Sequence, residues 1–215
     1  MARTKLASAR VGEPDSRERI LGAALAAFSE NGFDGATTRD IAARAGVNQG
    51  LIKYYFDGKL KLWRAAVDRA FEELRAALES TLSDEKFVDE VDQMRQSIRR
   101  YVHFVATHPE FIRLMHDEGK RNGPRMRWLV DRHIRPMYTM ITSVLETLRE
   151  RGALPAHIPA VHFHYILVGS VGLIFHQAEE CKRLSGIDLT DESVIETHAD
   201  AVVHLLFGPA NEENP

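Results

Sequence analysis

The chain has a single cysteine, Cys181. An internal disulfide needs two and every Cys-based zinc site needs more, so both are excluded. Scarce cysteine also fits a reducing compartment. No apolar run approaches the roughly 20 residues of a membrane span. The start, MARTKLASAR, is basic, but no apolar signal core follows it. The chain therefore reads as cytoplasmic, with no membrane partner. It contains no H-E-x-x-H, no G-x-S-x-G and no glycine-rich phosphate loop, so no enzyme is expected. Convincing strand alternation and internal repeats are also missing.

What is present is helical periodicity with short breaks, which predicts an all-α fold. The 215 residues leave room for a small head and a larger body. Net charge is −3, but it is uneven: residues 1–59 carry nine Lys/Arg and seven Asp/Glu (9 − 7 = +2), whereas residues 60–215 carry nineteen and twenty-four (19 − 24 = −5). That asymmetry suits a nucleic-acid-facing head on an acidic body, although so small a difference also arises by chance.

Residues 1–14 read as a flexible basic tail. Asp15 is placed to cap a helix, with Glu18 three positions on as in a capping box. Ile20, Leu21, Ala24, Leu25 and Phe28 share one face, and Asn31-Gly32 ends the helix, with Phe33 free to fold back on Phe28. Thr37 or Thr38 opens a short helix through Ile41-Ala42-Ala43, stopped by Gly46. Asn48 then caps a second short helix from Gln49 to Phe56, broken by Asp57-Gly58. Two short helices about a tight glycine turn, behind a longer support, read as a helix-turn-helix head over residues 15–60. A helix from about Lys59 to Ser80 leads into a body, residues 61–215, that binds ligand and dimerises.

In the body, helices are expected over Phe87 to His108, from Pro109 to just before Gly123, and from Pro124 to Gly152 with a kink at Pro136. Pro155 and Pro159 mark a loop. An apolar helix from about Ala160 to Leu184 and a last one from Asp191 to Phe207 complete the chain.

Within Ser16 to Phe71, the residues ILGAALAAFSENGFDGATTRDIAARAGVNQGLIKYYFDGKLKLWRAAV (20–67) resemble the TetR (AcrR-like) family of regulators. The shared order is an aromatic-Gly helix end, then TTRDIA, AGV, a small polar cap, an aromatic pair and a Lys opening the next helix. The resemblance implies a homodimer gripping a palindromic operator in double-stranded DNA. It also implies a small-molecule effector that changes the spacing of the two heads, most often to release a repressor. The effector is expected to be largely apolar.

The major groove is read by groups near the start of the recognition helix. Asn48, Gln49 and Gly50 stand there, Gln49 suited to adenine and Gly50 allowing close backbone approach. Arg39 suits guanine or phosphate, and Thr38 suits phosphate at a helix start. Lys53, Tyr54, Tyr55 and Lys59 offer charge, hydroxyls and flat faces to the backbone. Lys53 departs from the family pattern, which often has an aromatic there. The alternative is ordinary: Thr38 as a mere cap, Arg39 and Lys59 as solvated surface, the tyrosines packed beside Phe56.

For the effector, Phe104, Phe111, Met115, Trp128, Met137, Tyr138 and Phe163 are the richest apolar material, and core packing accounts for them equally well. His108, His116, Glu118, Arg132 and His164 are candidate polar anchors. For the dimer, Gly169, Gly172, Leu173 and His176 on the apolar helix join His198, Val202 and Leu205 on the last one, a seam that close helix approach would explain. Among the ten histidines no tight ligand triad is visible, since His162 and His164 point to different faces of a helix. No metal and no cofactor is expected.

Overall fold

A computed structural model describes residues 15–84, 87, 89–152 and 158–208. The tail reading for residues 1–14 and the Pro155 loop lie outside them. Among the described residues there is no strand, and the chain divides into two compact units after Val67. The division falls later than residue 60 because Leu62, Trp63, Ala66 and Val67 are buried at the start of the fourth helix.

The first unit begins with α1 (Ser16–Gly35). Its apolar positions Ile20, Leu21, Ala24, Leu25 and Phe28 are all buried, as their spacing demands. Gly32 interrupts the helix with φ 65°, a conformation side chains disfavour. The reversal lets Phe33 stack on Phe28 with centroids 5.8 Å apart. Asp15 makes no side-chain cap, and Glu18 instead meets Arg17, so the expected capping box is not formed. α2 (Thr38–Arg44) is capped by Thr37, whose hydroxyl accepts from the Asp40 amide at 3.1 Å. At its other end the Val47 amide reaches back to the Ala42 carbonyl and the Gly46 amide to that of Ala43. Gly46 has φ 63°. These two bonds form a Schellman turn, which sets the angle between α2 and α3 (Gly50–Phe56).

α4 (Lys59–Asp84) runs out of the first unit and into the second. The second unit continues with α5 (Glu90–Thr107), α6 (Pro109–Gly119), α7 (Pro124–Leu129), a π-helical turn (Val130–Ile134), α8 (Arg135–Glu150), α9 (Ala160–His176), α10 (Ala178–Ser185) and α11 (Glu192–Phe207). Phe87 falls before α5, which starts where Asp89 caps the Asp92 amide. The kink expected at Pro136 is taken up by the π turn, closed by the Arg135 amide on the Val130 carbonyl. Proline has no amide to give an α-helical ladder, and a wider turn ahead of it absorbs the loss.

The helix expected from Ala160 to Leu184 is two helices. Gln177 leaves helical geometry (φ −105°, ψ 34°) and α10 sets off separately. α9 packs against α5, α6, α8, α10 and α11 and forms the centre of this unit. Phe163, Leu167, Val171 and Phe175 recur at helical spacing on its buried side. Arg99 and His103 on α5 fasten α11 through Asp200 and Glu196.

Candidate functional site

In the first unit, Arg39, Asn48, Gln49, Gly50, Lys53, Tyr54 and Tyr55 are all exposed, and Tyr54 is 79 % accessible. The apolar residues of α3, Ile52 and Phe56, are buried. This division gives α3 an inner and an outer side, with Lys53 and Tyr54 outward. The Asn48 side chain accepts from the Gly50 amide at 2.8 Å. It thus holds the first turn of α3, which starts one residue later than the spacing predicts. A Cβ on Gly50 would lie 3.1 Å from that same Asn48 oxygen, so glycine gives the cap its room.

Two details were hidden from the sequence. The Gln49 amide donates to the Thr38 hydroxyl at 3.1 Å, which joins the starts of α2 and α3 through two expected contact residues. Lys59 is half-buried: its Nζ donates to the Asp34 carbonyl at 3.2 Å and sits 4.8 Å above the Phe33 ring. Eleven and twenty-five residues separate these pairs, beyond any helical period. Tyr54 and Tyr55 meet edge to face with centroids 5.0 Å apart.

In the second unit the expected ligand contacts separate. Phe104, Phe111 and Phe163 are buried in the core, and Phe111 meets both Phe71 and Phe104 edge-on. Met115, Trp128, Met137 and Tyr138 are half-buried. One surface hollow lies between α5 and α11, beside Arg95, Arg99, Asp200 and Leu205; another follows α9 and α10, beside Gly169, Leu173, Cys181 and Leu184. Neither is lined by an expected effector contact.

The expected dimer residues divide in the same way. Gly169 is open, with no atom within 4 Å of a Cβ built there, and Leu173 and Leu205 are exposed. Gly172 is different: a Cβ there would meet Ile112 Cδ1 at 2.7 Å, so this glycine accommodates α6 of its own chain. Val202 is buried. His176 stacks on His116 at 4.3 Å, and His198 Nε2 lies 3.0 Å from the Ser170 carbonyl. Gly172 and Val202 therefore pack against their own chain, whereas Gly169, Leu173 and Leu205 face outward. Their helices are apolar on several sides, so sequence phase alone does not tell inner from outer.

Buried polar groups also gather here. His133 is 2 % exposed, with its ring 4.3 Å from Phe71 and nearly parallel to it. Its Nε2 lies 2.9 Å from Asp68 Oδ1, and Arg132 reaches the same oxygen at 3.3 Å. Burial, the largest influence, holds the His133 pKa below the ordinary imidazole value. Burial does the same for His164 and His116, and it pushes the Tyr101 phenol up to about 12. His103, Glu192 and Glu196 bring ligand-type atoms within 4.8 Å of one another, a grouping that spacing along the chain hides. They are at the surface and pair with each other.

Residues 20–66 match the family model for bacterial regulatory proteins of the tetR family, and residues 91–206 match that of the tetracyclin repressor-like C-terminal domain. Among curated relatives, the HTH-type transcriptional repressor NicS of Pseudomonas putida is 28 % identical over 157 residues, 69 % of each chain. The HTH-type transcriptional repressor SCO4008 of Streptomyces coelicolor is 29 % identical over 154 residues, 71 % of this chain and 74 % of that one. The crystal structure of SCO3833, a TetR-family member from Streptomyces coelicolor A3, superposes with a TM-score of 0.66 at 21 % identity, covering 94 % of each chain. That last likeness concerns the fold.

Proposed function

The chain belongs to the tetR family of bacterial regulatory proteins and is a DNA-binding transcriptional regulator; we propose that it works as a homodimeric repressor released from a palindromic operator by a small, largely apolar effector. The observation that carries this reading is the outward row formed by Gln49, Lys53 and Tyr54 at and along α3, opposite buried Ile52 and Phe56. A recognition helix must offer such a row to the major groove.

In this reading Gln49 and Arg39 contact base edges, and Asn48 holds the turn that brings Gly50 close to the duplex. Thr38, Lys53, Tyr54 and Tyr55 take phosphates. Lys59 contributes charge from its place over Phe33 rather than a free reach. Two copies related by a two-fold axis would place their α3 helices in successive major grooves, about 34 Å apart. Gly169, Leu173 and Leu205 belong to the dimer seam, and exposed Tyr165 and Ile166 on α9 extend its apolar face. The repressor names of NicS and SCO4008 support the sign of regulation. Met115, Trp128, Met137 and Tyr138 remain the half-buried candidates for contact with the effector's apolar part.

The test is selection of bound fragments from sheared genomic DNA of the source organism, followed by titration at several salt concentrations. A palindrome bound with a steep loss of affinity in salt is expected. A folded chain that recovers no sequence above background refutes the reading.

A further inference from the structure

Six side chains of the second unit close one circuit of contacts. Phe111 on α6 meets Phe71 on α4 edge-on, with centroids 5.2 Å apart. Phe71 stacks on His133 of the π turn, and His133 meets the edge of Trp128 at 5.4 Å. Trp128 stands one turn beyond Arg125 on α7, so the two are neighbours. Arg125 Nε donates to Glu118 Oε1 at 3.0 Å. Glu118 is two turns beyond Phe111 on the same face of α6, which returns the circuit to its start.

Aromatic rings form most of this circuit, yet three of its buried side-chain atoms make no hydrogen bond: Glu118 Oε2 and both ring nitrogens of His133. Glu118 is 4 % exposed and its Oε2 is buried with no hydrogen bond. His133 Nδ1 is buried and unpartnered as well. Its Nε2 faces the Asp68 carboxylate at 2.9 Å, close though poorly aligned, which favours the proton on Nε2 and leaves a lone pair on Nδ1. Glu118 Oε2 and His133 Nδ1 are then both acceptors. A buried acceptor without a donor is costly and calls for one. The adjoining π turn is a local distortion of a kind that recurs at functional sites.

We propose that this circuit takes the polar end of the effector, and that this end is a hydrogen-bond donor, an organic ammonium foremost, rather than an anion. The inference rests on the effector-responsive reading above and adds the chemistry of the head group. A carboxylate or phosphate would bring more acceptors to Glu118 Oε2 and His133 Nδ1. An ammonium supplies donors to both and gains from the aromatic faces around it.

Calorimetric titration of the full chain with n-octylamine, 1-octanol and octanoate separates head groups on one apolar tail. Saturable binding is expected for the amine, weaker binding for the alcohol and none for octanoate. Glu118→Gln keeps an acceptor for Arg125 and should weaken the amine at least tenfold while narrowing its advantage over the alcohol. Should that variant not fold, His133→Phe keeps a ring on Phe71, removes Nδ1 and should weaken amine and alcohol alike. Octanoate binding as tightly as the amine overturns the proposal, as does amine binding that neither variant changes. Binding of none of the three also overturns it, leaving the acceptors to buried water. A separate assay of operator release by compounds of other chemistry then decides whether the effector reading survives alone.

Discussion

Gly169 and Gly172 lie one helical turn apart on α9, and alanine at the two positions should act in opposite directions. In a helix interior alanine is worth about 1 kcal/mol over glycine. At Gly169 nothing lies within 4 Å of the new methyl, so the isolated chain should keep that whole gain. For a chain of this length that raises Tm by about 2–4 °C. At Gly172 the methyl meets Ile112 Cδ1 at 2.7 Å and Cγ1 at 3.2 Å, and Ile112 is 1 % exposed. Overpacking a closed site costs about 1–3 kcal/mol. Less the propensity gain, Gly172→Ala should come out between neutral and about 2 kcal/mol destabilising. Ile112→Val removes Cδ1 and alone costs about 0.5–1.5 kcal/mol. In the double variant the two changes should compensate, with a coupling of about 1 kcal/mol. Urea unfolding of wild type and the four variants at fixed protomer concentration measures the cycle and the effect of Gly169→Ala. Equal stabilisation by both alanines, with Gly172→Ala and Ile112→Val additive, would refute the assigned orientation of α9. Sedimentation of Gly169→Ala adds a second reading. If α9 of a second copy approaches there, this variant should dissociate more readily although its fold is more stable.

Thr37→Ala removes the cap of α2 and should cost about 1 kcal/mol, seen as a lower urea midpoint with the affinity of the folded fraction for DNA little changed. His116, His133 and His164 have pKa values held below the usual 6.5 by burial, so on acidification the unfolded chain takes up these protons before the folded chain does. The unfolded state then binds more protons as pH falls below that value, and stability should drop from about pH 7 toward about pH 5. Urea midpoints across that range test this, and His133→Phe should flatten part of the slope.

The ends of the helices were legible because particular residues impose them. Gly32, Gly46 and Gly186 adopt positive φ, and Asp57 does so just before Gly58. The short helices of the first unit and the outward row on α3 followed from that punctuation and from the burial pattern of Ile52 and Phe56. The break at Gln177 was not legible, since neither glycine nor proline marks it. Gly172 and Val202 were expected in the dimer seam, and α9 and α11 carry apolar residues on more than one side, so the sequence did not separate seam from core there. The circuit through Glu118, Arg125, His133 and Phe71 joins three helices and a π turn, and only the folded chain brings it together. Glu118 alone was singled out in advance as a polar anchor; His133 had no neighbour in sequence to mark it.

The placement of the recognition helix is tested most directly by anisotropy titration of wild type, Lys53→Ala and Gln49→Ala against the selected palindrome and its single-base variants, at several salt concentrations. Lys53→Ala should weaken binding to every sequence and lower the salt slope by about one per subunit. Gln49→Ala should relax preference at one or two base pairs, by about 1–3 kcal/mol for each lost pairing. If both variants bind all sequences as wild type does, with the same slope, α3 does not enter the groove.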